Sequence, residues 1–473
     1  MLLRHSAYYL LASGLPGLIN FLAIYLYTRL LTPEEYGRYA LIVAGVGLFN
    51  VVFFQWLRLA LLRFFPAYEH DPRPLISTLL ASFAIALLLT GCAGFALALL
   101  WPSPTLRPFI LLGITLLWAT AWFELNLELS RIQLMPKRYG AMATFKSVTA
   151  LAVGTSLALI GLNAYGPLLG LLLGLLFAGA YGLRSAIWRV KPTLDRKTLA
   201  DLFRYGAPLT ATFALAYIVS ASDRLILAFF MGETEAGLYS APYDLANQSL
   251  TLAMTIVNLA AYPLAVRALE SAGKDAATTQ LQKNAVILLA VALPSATGLA
   301  ALSPNIAEIV LGDSFSSTTA FLLPIIALAS VLAGFRAYYF DVAFQLGQWT
   351  TGQIWVMSIA AVTNVVLNLL LIPTYGIAGA AWATVSAYGA ALAASIVLGK
   401  RVFQMDFPWP DFLKLVTATS IMGIALISTP GSMGWSTLIS QVLLGVTVYI
   451  FMLLVLNVAS IRTHISTLWR QRL

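Results

Sequence analysis

Apolar residues gather in long runs separated by short polar breaks. Each run is close to the roughly 20 residues that a helix needs to cross a hydrocarbon layer. The runs place candidate spans at 8–28, 39–57, 75–100, 107–128, 141–162, 164–188, 206–231, 238–265, 284–303, 318–340, 353–372, 377–399, 412–430 and 434–458. The first run, Tyr8 to Thr28, lacks an A-x-A-like cleavage site, so a retained helix is expected there.

Composition agrees with that pattern. Of 473 residues, 60% are hydrophobic and 10% are charged, with a mean hydropathy of +0.85. Soluble domains carry about a quarter charged residues, so a water-soluble protein is excluded. The apolar share suffices for roughly 14 spans and leaves no room for a sizeable soluble domain. An all-α integral membrane protein is the expected fold class.

Charge then tests the span count. Alternating the connections puts about 24 Lys and Arg on one side and about 3 on the other (Arg29, Arg38 and Arg107), with Arg224 inside a span. A missed or false span would invert this asymmetry from that point onward. Both termini are therefore expected in the cytoplasm, and the net charge of +9 is read as topology, with no nucleic acid implied. Cys92 is the single cysteine, so no intrachain disulfide forms. His5, His70 and His464 lie far apart and make no metal-ligand set. No phosphate-binding G-x-x-x-x-G-K-[ST] loop occurs, which argues against ATP-driven pumping.

An internal repeat follows the hydropathy register. Glu35, Gly37 and Tyr39 match Glu235, Gly237 and Tyr239, and Tyr165-Gly166 is echoed by Tyr375-Gly376. Two six-helix halves of the same orientation are expected, an N-terminal lobe over 1–195 and a C-terminal lobe over 196–405. Two extra helices and a cytoplasmic tail fill 406–473. Parallel repeats of this kind are a transporter architecture with the site between the halves. Gly166, Gly170, Gly174, Ala178 and Gly182 form a stripe of small residues that lets a neighbouring helix approach. Gly376 to Ala381 is expected to play the same part in the second half.

Three segments carry a family resemblance. They are Arg29-Leu-Leu-Thr-Pro-Glu-Glu-Tyr-Gly-Arg-Tyr39, then Asp223-Arg224 with Gly232 and Ala236-Gly-Leu-Tyr239, and Leu371-Ile-Pro-Thr-Tyr-Gly-Ile-Ala-Gly-Ala-Ala381. Over nearly the whole chain these resemble the polysaccharide transporter family. That family is the Wzx-type flippase branch of the multidrug/oligosaccharidyl-lipid/polysaccharide (MOP) exporter superfamily. The resemblance implies a V-shaped pair of lobes opening alternately to each side. It also implies a substrate of undecaprenyl-pyrophosphate carrying a short oligosaccharide for O-antigen, capsule or exopolysaccharide, and a home in the bacterial inner membrane.

Charged residues within spans are costly and face a cavity or a partner, so they are the candidate site. Arg29, Arg58 and Arg63 suit an anionic pyrophosphate through the bidentate guanidinium fork, against the alternative of arginines reaching for headgroups. The resemblance adds that Arg29 matches a basic cavity position of the related lipid II flippases. Adjacent residues on a helix do not face each other, so Asp223 and Arg224 should each seek a partner elsewhere. Arg29 and Asp244 lie at similar depth. Substrate binding by Arg224 and a gating salt bridge by Asp223 both stay open. Glu124 and Glu128 lie four apart on span 4 with Arg131 three further on, a coupling element or a plain helix ion pair. Arg336 and Asp341 on span 10 are their expected counterpart. Asn247, Gln248 and Asn258 on span 8 can bond sugar hydroxyls or other helices.

Alternating-access flipping of the lipid-linked oligosaccharide is the leading expectation, with no cofactor and coupling to H+ or Na+ left open. The partners foreseen are membrane lipids, a polysaccharide polymerase and glycosyltransferases, around a monomer. A cation-coupled multidrug exporter of the same superfamily is the alternative. A membrane glycosyltransferase or polymerase is disfavoured by the short outer connections, and a scaffold of polysaccharide assembly is also considered. A non-enzyme is expected.

Overall fold

In the computed structural model, residues 2–68, 70–100, 104, 106–182, 190–349, 351–429, 433–460 and 462 are described, the side chains of 2–13 excepted. The side chains of Arg4, His5, Arg184, Arg189, His464, Arg470 and Arg472 thus lie outside the described residues.

The elements run α1 Leu2–Leu30, α2 Pro33–Phe64, α3 Arg73–Leu100, α4 Arg107–Ile132, α5 Pro136–Leu157, α6 Tyr165–Gly182, α7 Arg196–Met231 and α8 Glu233–Ala301. They continue with α9 Ser303–Val310, α10 Asp313–Phe335, α11 Val342–Leu346, α12 Gly352–Gly399, α13 Trp409–Ile427 and α14 Trp435–Val455. Polar capping starts the key helices. Thr32 and Glu35 form a reciprocal capping box ahead of Pro33 in α2. Asp195 accepts the Thr198 amide at 2.8 Å to start α7.

Eleven helices among the described residues are long and apolar enough to span. Two of these are pairs of spans joined in one element. α8 breaks at Gly273 (φ 82°) and α12 at Gly376 (φ 56°), backbone conformations that favour glycine. With α1 in front, these helices correspond to the fourteen runs read from hydropathy.

Packing divides the chain into two compact units, Met1–Gly237 and Leu238–Leu473. The repeat boundary at 195/196 and this packing boundary differ by α7 and the first turn of α8. That helix lies on α2, where Trp56 meets Phe203 edge-on at 5.5 Å. A Cβ on Gly206 would lie 2.6 Å from the Trp56 carbonyl. A repeat records sequence kinship, whereas packing records which faces are buried together, so the two need not coincide.

Inside the first unit the small-residue stripe of α6 finds its partner in α5. Cβ atoms on Gly170 and Gly174 would lie 2.4 Å from the Gly154 amide and 2.6 Å from the Lys146 carbonyl. Such close backbone approach is how membrane helices associate without a hydrophobic driving force. Gly379 does likewise in the second unit, its Cβ position 2.5 Å from the Leu371 carbonyl of the preceding arm. The Tyr165-Gly166 echo is weaker in structure than in sequence. Gly166 is helical within α6, and the conformation of Gly376 (φ 56°, ψ −133°) recurs at Asn163 (φ 47°, ψ −132°).

The second unit packs α8, α10 and α11 around Leu250, Met254, Leu281, Leu288, Val342 and Phe403. The α13–α14 hairpin is fastened to it at two levels. Asn305 of α9 donates to Gln441 at 3.0 Å and accepts the Gly434 amide at 3.2 Å, and the Tyr449 hydroxyl donates to the Ala290 carbonyl at 2.9 Å.

Candidate functional site: a charged cluster among α2, α4 and α5

The first unit collects charge where α2 and α4 pack together. Arg58 of α2 pairs with the Glu124 carboxylate of α4 and donates to Gln55 one turn back. Asn50, about two turns before Arg58 on α2, donates to the same Glu124 oxygen at 2.6 Å. One carboxylate oxygen is thus shared by a cation and an amide. Phe54, Leu57 and Leu125 pack around this crossing and exclude lipid from it.

One turn along α4, Glu128 takes Arg131 at 3.6 Å. Arg131 is 59% exposed, so the pair is weak. Glu128 also lies in the field of Arg58 and Glu124. Lys146 of α5 sits 5.7 Å above the Phe123 ring, within reach of the Glu124 charge. Five titratable side chains, Arg58, Glu124, Glu128, Arg131 and Lys146, are therefore brought together within helices apolar enough to span. Arrays of this kind are tolerated only when they pair or face water.

The other predicted residues are placed as follows. Arg29 is exposed at the last turn of α1, stacked 3.9 Å over the Tyr25 ring. Arg58 lies about 38 Å along α2 from Pro33 at 1.5 Å per residue, so α1 and α2 hold these two arginines at opposite ends. Arg63 is exposed and joins no ion pair among the described residues. Asp223 is fully buried and Arg224 is 9% exposed, both in α7.

In the second unit, Asn247 is exposed on α8, and Asp244 and Gln248 are half-buried. Arg336 and Asp341 form a buried ion pair of their own at 3.0 Å. The Ser395 hydroxyl donates to Asp341 at 2.6 Å, and Arg336 reaches the Met357 sulfur at 3.1 Å. The chain makes a π turn over Arg336–Phe340, closed by the Asp341 amide donating to the Arg336 carbonyl at 2.9 Å. In a regular α-helix residues five apart point about 140° away from each other. The wider π turn brings them onto one side.

Three features escaped sequence reading. Lys146 counts in sequence as one more cation near a span end, and only the α4–α5 crossing puts it over Phe123. Asn50 is a lone amide in an apolar run, a signal too common to single out. The Arg38–Glu233 ion pair joins residues 195 positions apart in sequence. It was open to inference from the repeat, since both flank the Glu35 and Glu235 motifs.

Comparison with known proteins matches this fold. Residues 26–320 match the polysaccharide biosynthesis protein family. A membrane protein of Methanocaldococcus jannaschii, itself uncharacterized, is 26% identical over 208 residues. That match covers 42% of this chain and 39% of the relative, so the chain aligns with well under half the length of that protein. Among solved structures, a lipid II flippase, MurJ, in an inward closed conformation superposes with a TM-score of 0.75 at 17% identity, covering 96% of this chain and 99% of that one. A multidrug resistance MATE family transporter of the MOP superfamily, inward-facing, gives 0.58 at 14% identity, covering 87% and 98%. These likenesses show a shared fold. The chain is a multi-pass membrane protein with the MOP exporter fold, and it belongs to the polysaccharide biosynthesis protein family.

Proposed function

We propose that this protein flips a polyprenyl-pyrophosphate-linked oligosaccharide across the bacterial inner membrane by alternating access. The observation that carries the reading is the Arg58–Glu124 pair with Asn50 and Lys146 beside it. Arg58 offers a phosphate a planar fork of donors that a lysine cannot match. While the site is empty, Glu124 holds that fork in place and keeps the guanidinium from lying uncompensated. An arriving pyrophosphate takes over Arg58, and the displaced carboxylate is neutralised by Lys146 or by a proton. A proton taken up there and released after transfer couples flipping to the proton gradient; Na+ in place of H+ serves the same balance.

Family membership supports the glycan, and the fold supports alternating access. O-antigen, capsule and exopolysaccharide repeat units all fit a pyrophosphate-linked carrier. A polymerase and glycosyltransferases are the matching partners, because a flipped repeat unit must be both made and consumed.

The test is leaflet transfer in proteoliposomes. A fluorescent undecaprenyl-pyrophosphate oligosaccharide should move only with protein present, and Arg58→Ala should slow it by about tenfold or more. Transport of lipophilic cations, with no movement of the glycolipid, would overturn the reading in favour of drug export.

A further inference from the structure

The first arm of α8 carries polar side chains on one face of an otherwise apolar helix. Asp244, Asn247, Thr251, Thr255, Asn258 and Tyr262 succeed one another by three or four residues. At 100° per residue they fall within about 80° of arc, and at 1.5 Å per residue the stripe is about 27 Å long. Thr251 lies midway between Glu235 and Arg267, which stand near the two ends of this arm. The stripe therefore runs across the middle of the bilayer.

Its flanks are of ordinary membrane character. Leu250, Met254 and Val257 on one side pack into the core of the second unit. Ile256 and Leu259 on the other side are exposed. Apart from Tyr262, which packs against that core as Val257 does, the stripe is neither packed away like the first set nor apolar like the second. Asn247 is exposed, and its amide oxygen takes the Thr251 hydroxyl at 2.9 Å, one turn along its own helix. The Thr255 hydroxyl stands 2.8 Å from the hydroxyl of Tyr338, in the π turn after α10. An exposed amide in hydrocarbon would forfeit hydrogen bonds that lipid cannot replace. Polar groups that glue helices together are consumed by the neighbouring helix. Asn247 spends its bond on its own helix and keeps the rest of its amide open, which is the condition of a group lining an aqueous path.

The chemistry of the stripe is selective. Amides and hydroxyls both donate and accept, as sugar hydroxyls do. No cation stands on the stripe, and Asp244 at one end repels a pyrophosphate while accepting from sugar hydroxyls. We propose that this face of α8, with Tyr338, is a glycan track. It hydrogen-bonds the oligosaccharide head during transfer while the pyrophosphate is held elsewhere. The proposal rests on the flippase reading above and adds where the sugar is recognised.

The test uses the full-length protein in proteoliposomes with two fluorescent probes. One is an undecaprenyl-pyrophosphate tetrasaccharide, the other undecaprenyl-pyrophosphate bearing one N-acetylglucosamine. In the triple variant Asn247→Leu, Thr251→Val, Thr255→Val, tetrasaccharide transfer should fall about tenfold or more. Single-sugar transfer should stay within about twofold, which also reports a folded transporter. Asn247→Gln should keep the tetrasaccharide rate. If the triple variant fails to fold, Asn247→Leu alone, at an exposed position, should slow the tetrasaccharide and spare the single-sugar probe. Equal loss of both probes, or loss of neither, overturns the glycan track while leaving flipping intact. A wild-type protein that moves neither probe overturns the flippase reading and this inference with it.

Discussion

Gly37 and Gly237 face each other through their backbones. A Cβ on Gly37 would lie 1.9 Å from the Glu233 carbonyl oxygen, and one on Gly237 would lie 1.9 Å from the Pro33 carbonyl oxygen. The two contacts mirror each other at the spacing of the internal repeat. Arg38 closes the same corner, bonded to both Glu34 and Glu233. Gly37→Ala and Gly237→Ala should each force these helix ends apart and destabilise the protein by about 1–3 kcal/mol, the usual range for overpacking. The two losses should be of similar size because the contacts are reciprocal. Thermal melting in detergent checks this, with Gly45→Ala as the control, since its Cβ position meets nothing within 4 Å.

Arg58 and Glu124 are coupled, so their substitutions should not add. Arg58→Ala should abolish most glycolipid transfer, and Arg58→Ala with Glu124→Gln should lose little more. The double-mutant cycle should give a coupling of at least about 1 kcal/mol in transfer rate. Arg63→Ala should stay within about twofold of wild type, because Arg63 is exposed and outside the cluster. Additive losses at Arg58 and Glu124 would refute the shared role.

Arg336 and Asp341 present the opposite case, an ion pair with both side chains only 9% exposed. Asp341→Leu leaves the Arg336 charge buried and should cost about 3–5 kcal/mol. Adding Arg336→Met removes the orphaned charge, and the double variant should recover most of that loss. Chemical or thermal unfolding measures all three. Transport that survives in a stable double variant would assign this pair to structure rather than to coupling.

Asp195 gives a pH prediction outside the membrane. Its carboxylate accepts from the Thr198 hydroxyl at 2.6 Å and the Thr198 amide at 2.8 Å. Chiefly the hydroxyl bond, then the amide bond, holds its pKa below the usual value of 3.8. A carboxylate depressed on folding stabilises above its unfolded pKa and loses that contribution as pH falls through the folded one. The melting difference between wild type and Asp195→Ala should therefore be constant above about pH 5 and close below about pH 4. A difference that widens on acidification would contradict the cap.

The spans were legible because lipid allows few solutions. Backbone polar groups must be satisfied within the helix, so apolar length alone reveals a span, and the basic residues number the crossings. The Glu124 and Glu128 spacing was visible too. The partners of Glu124 were not, since Arg58 and Asn50 depend on how α2 crosses α4, which hydropathy does not encode. The spacing of Glu128 and Arg131 left a plain helix ion pair open, and that pair forms, whereas packing sends Glu124 to Arg58 of another helix. The approach of Arg336 to Asp341 was hidden for a different reason. At regular helical geometry they diverge, and only the π turn unites them.

The backbone seam between α5 and α6 limits how this protein can move. With Gly154, Gly166, Gly170 and Gly174 in near contact with the facing main chain, the two helices have no side-chain cushion to deform. They must travel as a single rigid plank, carrying Lys146 with them. Any change in the Arg58 cluster then arises where α2 moves against α4 or α4 slides over this plank. A cross-link between α5 and α6 would leave transport running, whereas one between α2 and α4 would arrest it.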